Sequence, residues 1–578
     1  MYELPYFVAI LLVIGLAAAQ INYTSVVQLN SGPVRGQILT TVRKSVKYSS
    51  FEGIPFAKPP IGSLRFQPPV RIGKWQTVLN ATKTASACAQ PNQVIPGSNA
   101  PAVGSEDCLY VNVYTPQTSF TDTSKTNQKA VLVWIYGGGF ITGSQLSSSL
   151  RPDFLLENDV VIVSANYRLG ALGFLNLNLK SASGNAGLKD QSLALRWVKE
   201  NIAQFGGDPD KVTIFGQSAG SVSVDLHVVS KMSAGLFQQS LAMSGSPLCP
   251  YWPMQTNKEA KQQAFALGSK LGYNSNSVEG LLRVFQSASV NDIISKQSEL
   301  PGIPFRPTVE KETDVPDEQK FLDRCALNRY IDGKGLNKGR HMMGFTSNEL
   351  KSFLVSINAV AQIYNLTAEK FREAAIPLDL SPQQKLISSL QGNLSSVSKK
   401  QLDQLILFTS DLAFVSGIDE KQRYLSLRNG QPIYYYRFAF EGAKYVSGPS
   451  IFSLSNPFNV SGVGHAEDLL YVFYGPAFGV PINQPQISLT IDRYTTLITN
   501  FAKYGNPTPL NKKDPQLNIT WPPSGTEGLH LEINEQLSIQ PRPITNETRL
   551  IQLSGAVNSP LLLDCISFDG CQKVVYSD

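Results

Sequence analysis

Short continuous apolar runs recur along the chain and alternate with longer stretches of helical periodicity. Runs at Val131–Tyr136, Val160–Ala165, Val212–Phe215, Leu241–Ser244, Met342–Phe345, Ile433–Phe438 and Leu529–Ile533 have strand length and favour β-branched and aromatic residues. Earlier strands are expected around Val26–Leu39 and Tyr110–Tyr114, and helices at Ser192–Ala203 and Ile487–Tyr504. Strands that are apolar throughout and alternate with helices predict an α/β fold. Its large, mostly parallel central sheet is flanked by helices, and sites gather at the strand ends. Segments 257–300 and 355–430 are expected to form a helical rim above those ends. With no internal repeat and no low-complexity linker, residues 20–578 read as a single domain.

The candidate chemistry sits directly after these runs. Gly216-Gln217-Ser218-Ala219-Gly220 follows Val212–Phe215 and precedes a helix-compatible segment. That strand–turn–helix setting is what G-x-S-x-G needs to lift a serine hydroxyl clear of the chain. A nucleophilic serine needs a base, and the base needs an orienting acid. The chain has only four histidines. His465 lies in the loop Gly462-Val463-Gly464-His465-Ala466-Glu467-Asp468, ahead of the apolar run Leu469–Phe473. His227 falls in the stretch after the serine and reads as a packed or surface histidine, while His341 and His530 read as strand residues. Glu349, after Gly344–Asn348 at an expected strand end, is the candidate acid. On position alone it is as readily a solvated carboxylate at a helix start capped by Ser347 or Asn348. The triplet Gly137-Gly138-Gly139 follows Val131–Tyr136 and lets backbone N–H groups approach a substrate oxygen. Gly138, Gly139 and Ala219 are the candidate oxyanion-hole donors.

These motifs, with Phe51–Ala57, Leu64-Arg65-Phe66, Ser105–Tyr114, Asn166–Gly170, Gly184-Asn185 and Phe205–Pro209, resemble the type-B carboxylesterases. That family is the cholinesterase–carboxylesterase branch of the α/β-hydrolases. The resemblance runs from about Val26 to about Ile533. It implies an active-site gorge, a catalytic Ser218, Glu349 and His465, and oxyanion donors at Gly138, Gly139 and Ala219. It further implies ion pairs Arg65–Glu106 and Arg168–Asp190, a supporting Ser244 near the acid, and a disulfide between Cys88 and Cys108. The implied activity is hydrolysis of a small hydrophobic carboxylic ester, with no cofactor and no metal.

Three departures narrow the reading. Gln217 stands where many relatives have glutamate, Leu350 follows the acid in place of the usual glycine, and the loop from Ala89 to Asp107 holds no aromatic residue. A choline specialist would place a tryptophan in that loop for a cation–π contact. The Gln217 form of the serine motif, Asp190-Gln191 and the Gly462–Asp468 loop resemble insect juvenile hormone esterases, which makes hormone hydrolysis an alternative. Some members of the family are non-catalytic binding or adhesion proteins that have lost triad residues, whereas here all three positions hold competent residues.

The net charge of +6 over 578 residues comes without long charge runs, so no nucleic-acid partner is implied. Phe7–Ala19 is apolar, with Ala17 and Ala19 fitting a small-residue cleavage rule, so residues 1–19 read as a signal peptide. The chain ends in Tyr576-Ser577-Asp578 with no apolar tail, and no membrane anchor is expected. Secretion fits the Asn-x-Ser/Thr sites at Asn22, Asn80, Asn365, Asn393, Asn459, Asn518 and Asn546. Of the remaining cysteines, Cys249 either pairs with Cys325 or stays free, and Cys565 is expected to pair with Cys571.

Overall fold

A computed structural model describes residues 21–92, 101–120, 127–250, 252–310, 315–353, 361, 364–365, 381–392, 398–446 and 458–545. Its centre is an eleven-stranded sheet. In chain order the strands are β1 (Gln37–Thr40), β2 (Lys47–Pro55), β3 (Tyr110–Thr115), β4 (Lys129–Ile135), β5 (Val161–Ala165), β6 (Gly207–Gln217), β7 (Gln239–Met243), β8 (Arg340–Thr346), β9 (Ile433–Phe438), β10 (His530–Ile533) and β11 (Leu537–Gln540). Across the sheet they run β11-β10-β9-β8-β7-β6-β4-β5-β3-β2-β1. Strands β4 to β10 are parallel, while β1 to β3 and β11 pair antiparallel at the two sides. The expected region Val26–Leu39 divides. Only its last part joins this sheet as β1, and Val27–Gln28 and Pro33–Arg35 form a small sheet with Leu79–Asn80.

Burial explains why the parallel strands lack alternation. Ala130–Ile135 of β4 and all of β5 and β7 are buried, because helices cover both faces. Those helices include α1 (Ala186–Asn201) and α2 (Ala219–Val229), of which α2 is buried at every residue. The expected rim appears at 257–300 as α3 (Asn257–Lys270), α4 (Val278–Ser287) and α5 (Val290–Ser298). Each starts at a Thr or Ser whose side chain accepts a backbone N–H, and Thr256 with Glu259 closes a full capping box. Within 355–430 the described helices are α6 (Ser381–Gly392), α7 (Lys399–Ser410) and α8 (Ser416–Arg428), with a π-helical turn at Asp411–Val415 between the last two. Near the end of the fold, α9 (Pro485–Tyr504) begins with proline and stops at Gly505, whose φ of 67° ends the helix.

Strand order positions the site. The chain leaves β5 on one side of β4 and returns as β6 on the other, so the strand order reverses there. Phe215 lies beside Trp134 and Gly216 beside Ile135, so the serine turn and the glycine triplet emerge side by side. The end of β8, which precedes Glu349, emerges beyond β7 in the same parallel array.

Candidate active site

The serine turn is built by close packing. A Cβ on Gly220 would collide with the Ile135 carbonyl, and one on Gly216 would lie 2.6 Å from that same oxygen. Both glycines are therefore needed for approach to β4. Ser218 itself carries the strain, at φ 59° and ψ −124°. Its N–H donates to the Met243 carbonyl at 2.9 Å, and its carbonyl accepts from Val222 at 3.0 Å, which pins the turn between β7 and α2. The glycine triplet packs onto it: a Cβ on Gly137 would sit 2.9 Å from Ser218 Cβ. Gly138 and Gly139 hold φ of 110° and 63°. Ala219 is the first residue of α2, so its N–H has no partner within the helix.

Glu349 is fully buried and opens a short 3-10 turn over Glu349–Phe353. Its Oε1 accepts from the Thr346 N–H at 2.8 Å, and its Oε2 lies 2.6 Å from His465 Nδ1. The two residues also meet through the backbone, where His465 N–H donates to the Glu349 carbonyl at 3.0 Å. The solvated helix-start alternative for Glu349 is thus wrong, because burial and two directed donors hold the carboxylate inward. Leu350 is tolerated in place of glycine. It is buried, and its N–H donates to Ser410 Oγ at 2.9 Å, while Ser410 in turn donates to Asn348.

The other face of the imidazole meets Gln217, with Nε2 to Nε2 at 3.0 Å. Phe353 and Phe414 flank the ring at 5.5 and 4.8 Å between centroids. Phe414 belongs to the π-helical turn, whose carbonyls are taken from outside the helix: Cys249 Sγ donates to Phe414 O and Trp252 Nε1 to Ala413 O. Behind His465, Asp468 is buried with Oδ2 at 3.3 Å from the Tyr494 hydroxyl. Burial, and then the Glu349 charge, push its carboxyl up to about 7. The Phe414 and Ser410 contacts escape a sequence reading, since no motif links a remote helix to His465.

The remaining expectations are placed as follows. Arg65 and Glu106 form a bidentate pair at 2.7 Å for both bonds, and Arg168 binds Asp190 at 2.8 and 2.7 Å. Ser244 sits after β7 at φ 56°, its hydroxyl buried and without a hydrogen-bond partner among the described residues. His227 is buried between Gln191 Oε1 at 3.0 Å and Ser233 Oγ at 2.6 Å, and burial pushes its pKa down to about 3. His341 and His530 lie in β8 and β10. Cys88 bonds to Cys108. Cys249 is free and buried, and Cys325 is disulfide-bonded, so a Cys249–Cys325 bridge is excluded. The expected Cys565–Cys571 pair, residues 1–19, Asn393 and Asn546 lie outside the described residues. Among the described residues no helix is long and apolar enough to cross a membrane, and no group of three or more metal-ligating side chains is found.

Comparison with known proteins places the chain in a family. Residues 23–551 match the model of the carboxylesterase family. The chain is 36% identical over 501 residues to the juvenile hormone esterase of Tribolium castaneum, covering 83% of this chain and 82% of that protein. It is 31% identical to venom carboxylesterase-6 of Apis mellifera, covering 84% and 87%. The crystal structure of juvenile hormone esterase from Manduca sexta, with OTFP covalently attached, superimposes with a TM-score of 0.75 at 27% identity. That match covers 92% of this chain and 99% of the other.

Proposed function

This chain belongs to the carboxylesterase family and is a carboxylic ester hydrolase, and we propose that it works by two-step acyl transfer on Ser218. In this reading Ser218 Oγ attacks the ester carbonyl while His465 Nε2 takes its proton. N–H groups of Gly138, Gly139 and Ala219 hold the developing oxyanion, a contribution of about 3 kcal/mol per donor. His465 then protonates the leaving alcohol, the acyl–Ser218 bond remains, and water activated by His465 releases the acid. Glu349 keeps the proton on Nδ1 throughout. The observation that carries the proposal is the 2.6 Å contact of the buried Glu349 carboxylate with His465 Nδ1, beside a strained serine at a strand-to-helix turn.

The test is hydrolysis of a short-acyl aryl ester by the purified protein and by Ser218→Ala. A loss of at least about a thousand-fold in kcat/KM is expected. Equal, trivial rates in both, with no labelling of Ser218 by a fluorophosphonate, would instead establish a binding protein. A narrower reading, hydrolysis of juvenile hormone, is favoured by the Tribolium castaneum and Heliothis virescens juvenile hormone esterases among the relatives and by Gln217. A kcat/KM for juvenile hormone far above that for the aryl ester supports it, and the reverse order removes it. Secretion is part of the same proposal. The Cys88–Cys108 disulfide and the exposed Asn22, Asn80, Asn365, Asn459 and Asn518 support an oxidising, glycosylating route.

A further inference from the structure

Resting on that reading of His465 as the base, we propose that Gln217 is a positioning residue: its side-chain amide donates a hydrogen bond to the His465 Nε2 lone pair and opposes a second proton there until substrate arrives. The assignment follows from the tautomer. Glu349 Oε2 lies 2.6 Å from Nδ1 and can only accept, so the neutral ring carries its proton there. Nε2 then presents a lone pair, and the Gln217 atom 3.0 Å away must donate. The amide carbonyl end is turned toward the glycine triplet, since a Cβ on Gly137 would lie 3.1 Å from Gln217 Oε1. Gln217 is 4% exposed at the end of β6, so its side chain spans a closed gap between the base and the oxyanion loop. Among the described residues the Ser218 hydroxyl forms no hydrogen bond to His465, so the amide occupies the lone pair that the serine needs.

A glutamate at this position would behave oppositely. A carboxylate cannot donate, so it repels the lone pair and favours the imidazolium. An amide N–H aimed at Nε2 disfavours the imidazolium by opposing a second ring proton. The other ionisable groups facing His465 are Glu349 and Asp468. Ser352 touches only its carbonyl, Phe353 and Phe414 are uncharged, and Lys351 is engaged by Glu467. Because Glu349 and Asp468 are common to all variants at position 217, differences between those variants report the amide.

The experiment is the pH profile of kcat/KM on an aryl ester for wild type, Gln217→Glu and Gln217→Met. The acid limb is expected to move alkaline by at least about 1 pH unit in Gln217→Glu, and by a smaller step in the same direction in Gln217→Met. An unmoved acid limb in both, or an acid-ward shift in Gln217→Met, would overturn the proposal. The second pattern would mean that the amide carbonyl accepts from Nε2. Titration of ring-15N-labelled histidine in a Ser218→Ala background reads the same order without turnover. Absence of Ser218-dependent turnover in wild type would thus defeat the esterase reading separately.

Discussion

Asp468 shows how one buried side chain sets a pH dependence. Its carboxyl is raised to about 7, above the usual aspartate value near 4, chiefly by burial and next by the Glu349 charge. A carboxylate raised in the fold contributes stability that is fully present below its unfolded value and lost as pH rises through the folded one. The protein should therefore lose stability between about pH 4 and pH 7 through this group, by on the order of 2–4 kcal/mol. Asp468→Asn, which mimics the protonated form, should melt higher than wild type at pH 8 and nearly alike at pH 4.5. Calorimetric scans across that range check it, and parallel curves would remove the effect. At this scale the sequence was partly legible. Ser218 and His465 stood out because a motif and a scarce residue type marked them. Glu349 did not, since a carboxylate after Ser347-Asn348 looks the same whether it faces water or a buried imidazole. The Gln217 contact could not be read at all, because it depends on a loop 248 positions away.

At the scale of elements, the turn after β6 depends on how near α2 can come to β4. Gly220→Ala places a methyl group against the Ile135 carbonyl. Backbone cannot yield as a flexible side chain does, so α2 must shift. The expected cost is about 1–3 kcal/mol in stability and about a hundred-fold in kcat through displacement of Ser218. Thermal melting and ester turnover measured on the same preparation check both numbers. Parallel strands were easy to find because burial on both faces leaves an unbroken apolar run. β2 escaped notice for a physical reason: its pairing with β3 shifts register between Phe51 and Ile54, and the run is interrupted by Glu52 and Gly53. β6 was expected only over Val212–Phe215, yet it begins at Gly207, where another register shift admits Asp208 and Pro209. The π-helical turn at Asp411–Val415 has no sequence signature, since what sustains it is Cys249 and Trp252 from a distant loop.

For the molecule as a whole, the disulfide is the covalent restraint among the described residues whose removal is easiest to read. Cys88 and Cys108 are 20 positions apart and both buried. A loop of that length gives about 3 kcal/mol by restricting the unfolded chain. The double variant Cys88→Ala with Cys108→Ala should melt several degrees lower and keep its turnover at 25 °C, because the bridge supplies no group to the proposed chemistry. Loss of turnover with an unchanged melting temperature would contradict this. The order of strands along the sheet lay beyond sequence reading, as nothing local states that β6 inserts beside β4 and not beside β5.

The 248 positions between Gln217 and His465 also have a meaning in time. A ribosome adding about 5–20 residues per second needs roughly 12 to 50 seconds to travel from one to the other. Throughout that interval the nascent chain carries Ser218, the proposed nucleophile, but not His465, the proposed base, and the strand β10 that completes the parallel array is still unmade. With Ser218 and His465 in the proposed roles, hydrolysis is expected only once His465 has been added, and a chain terminated between the two is expected to be silent instead of partly active.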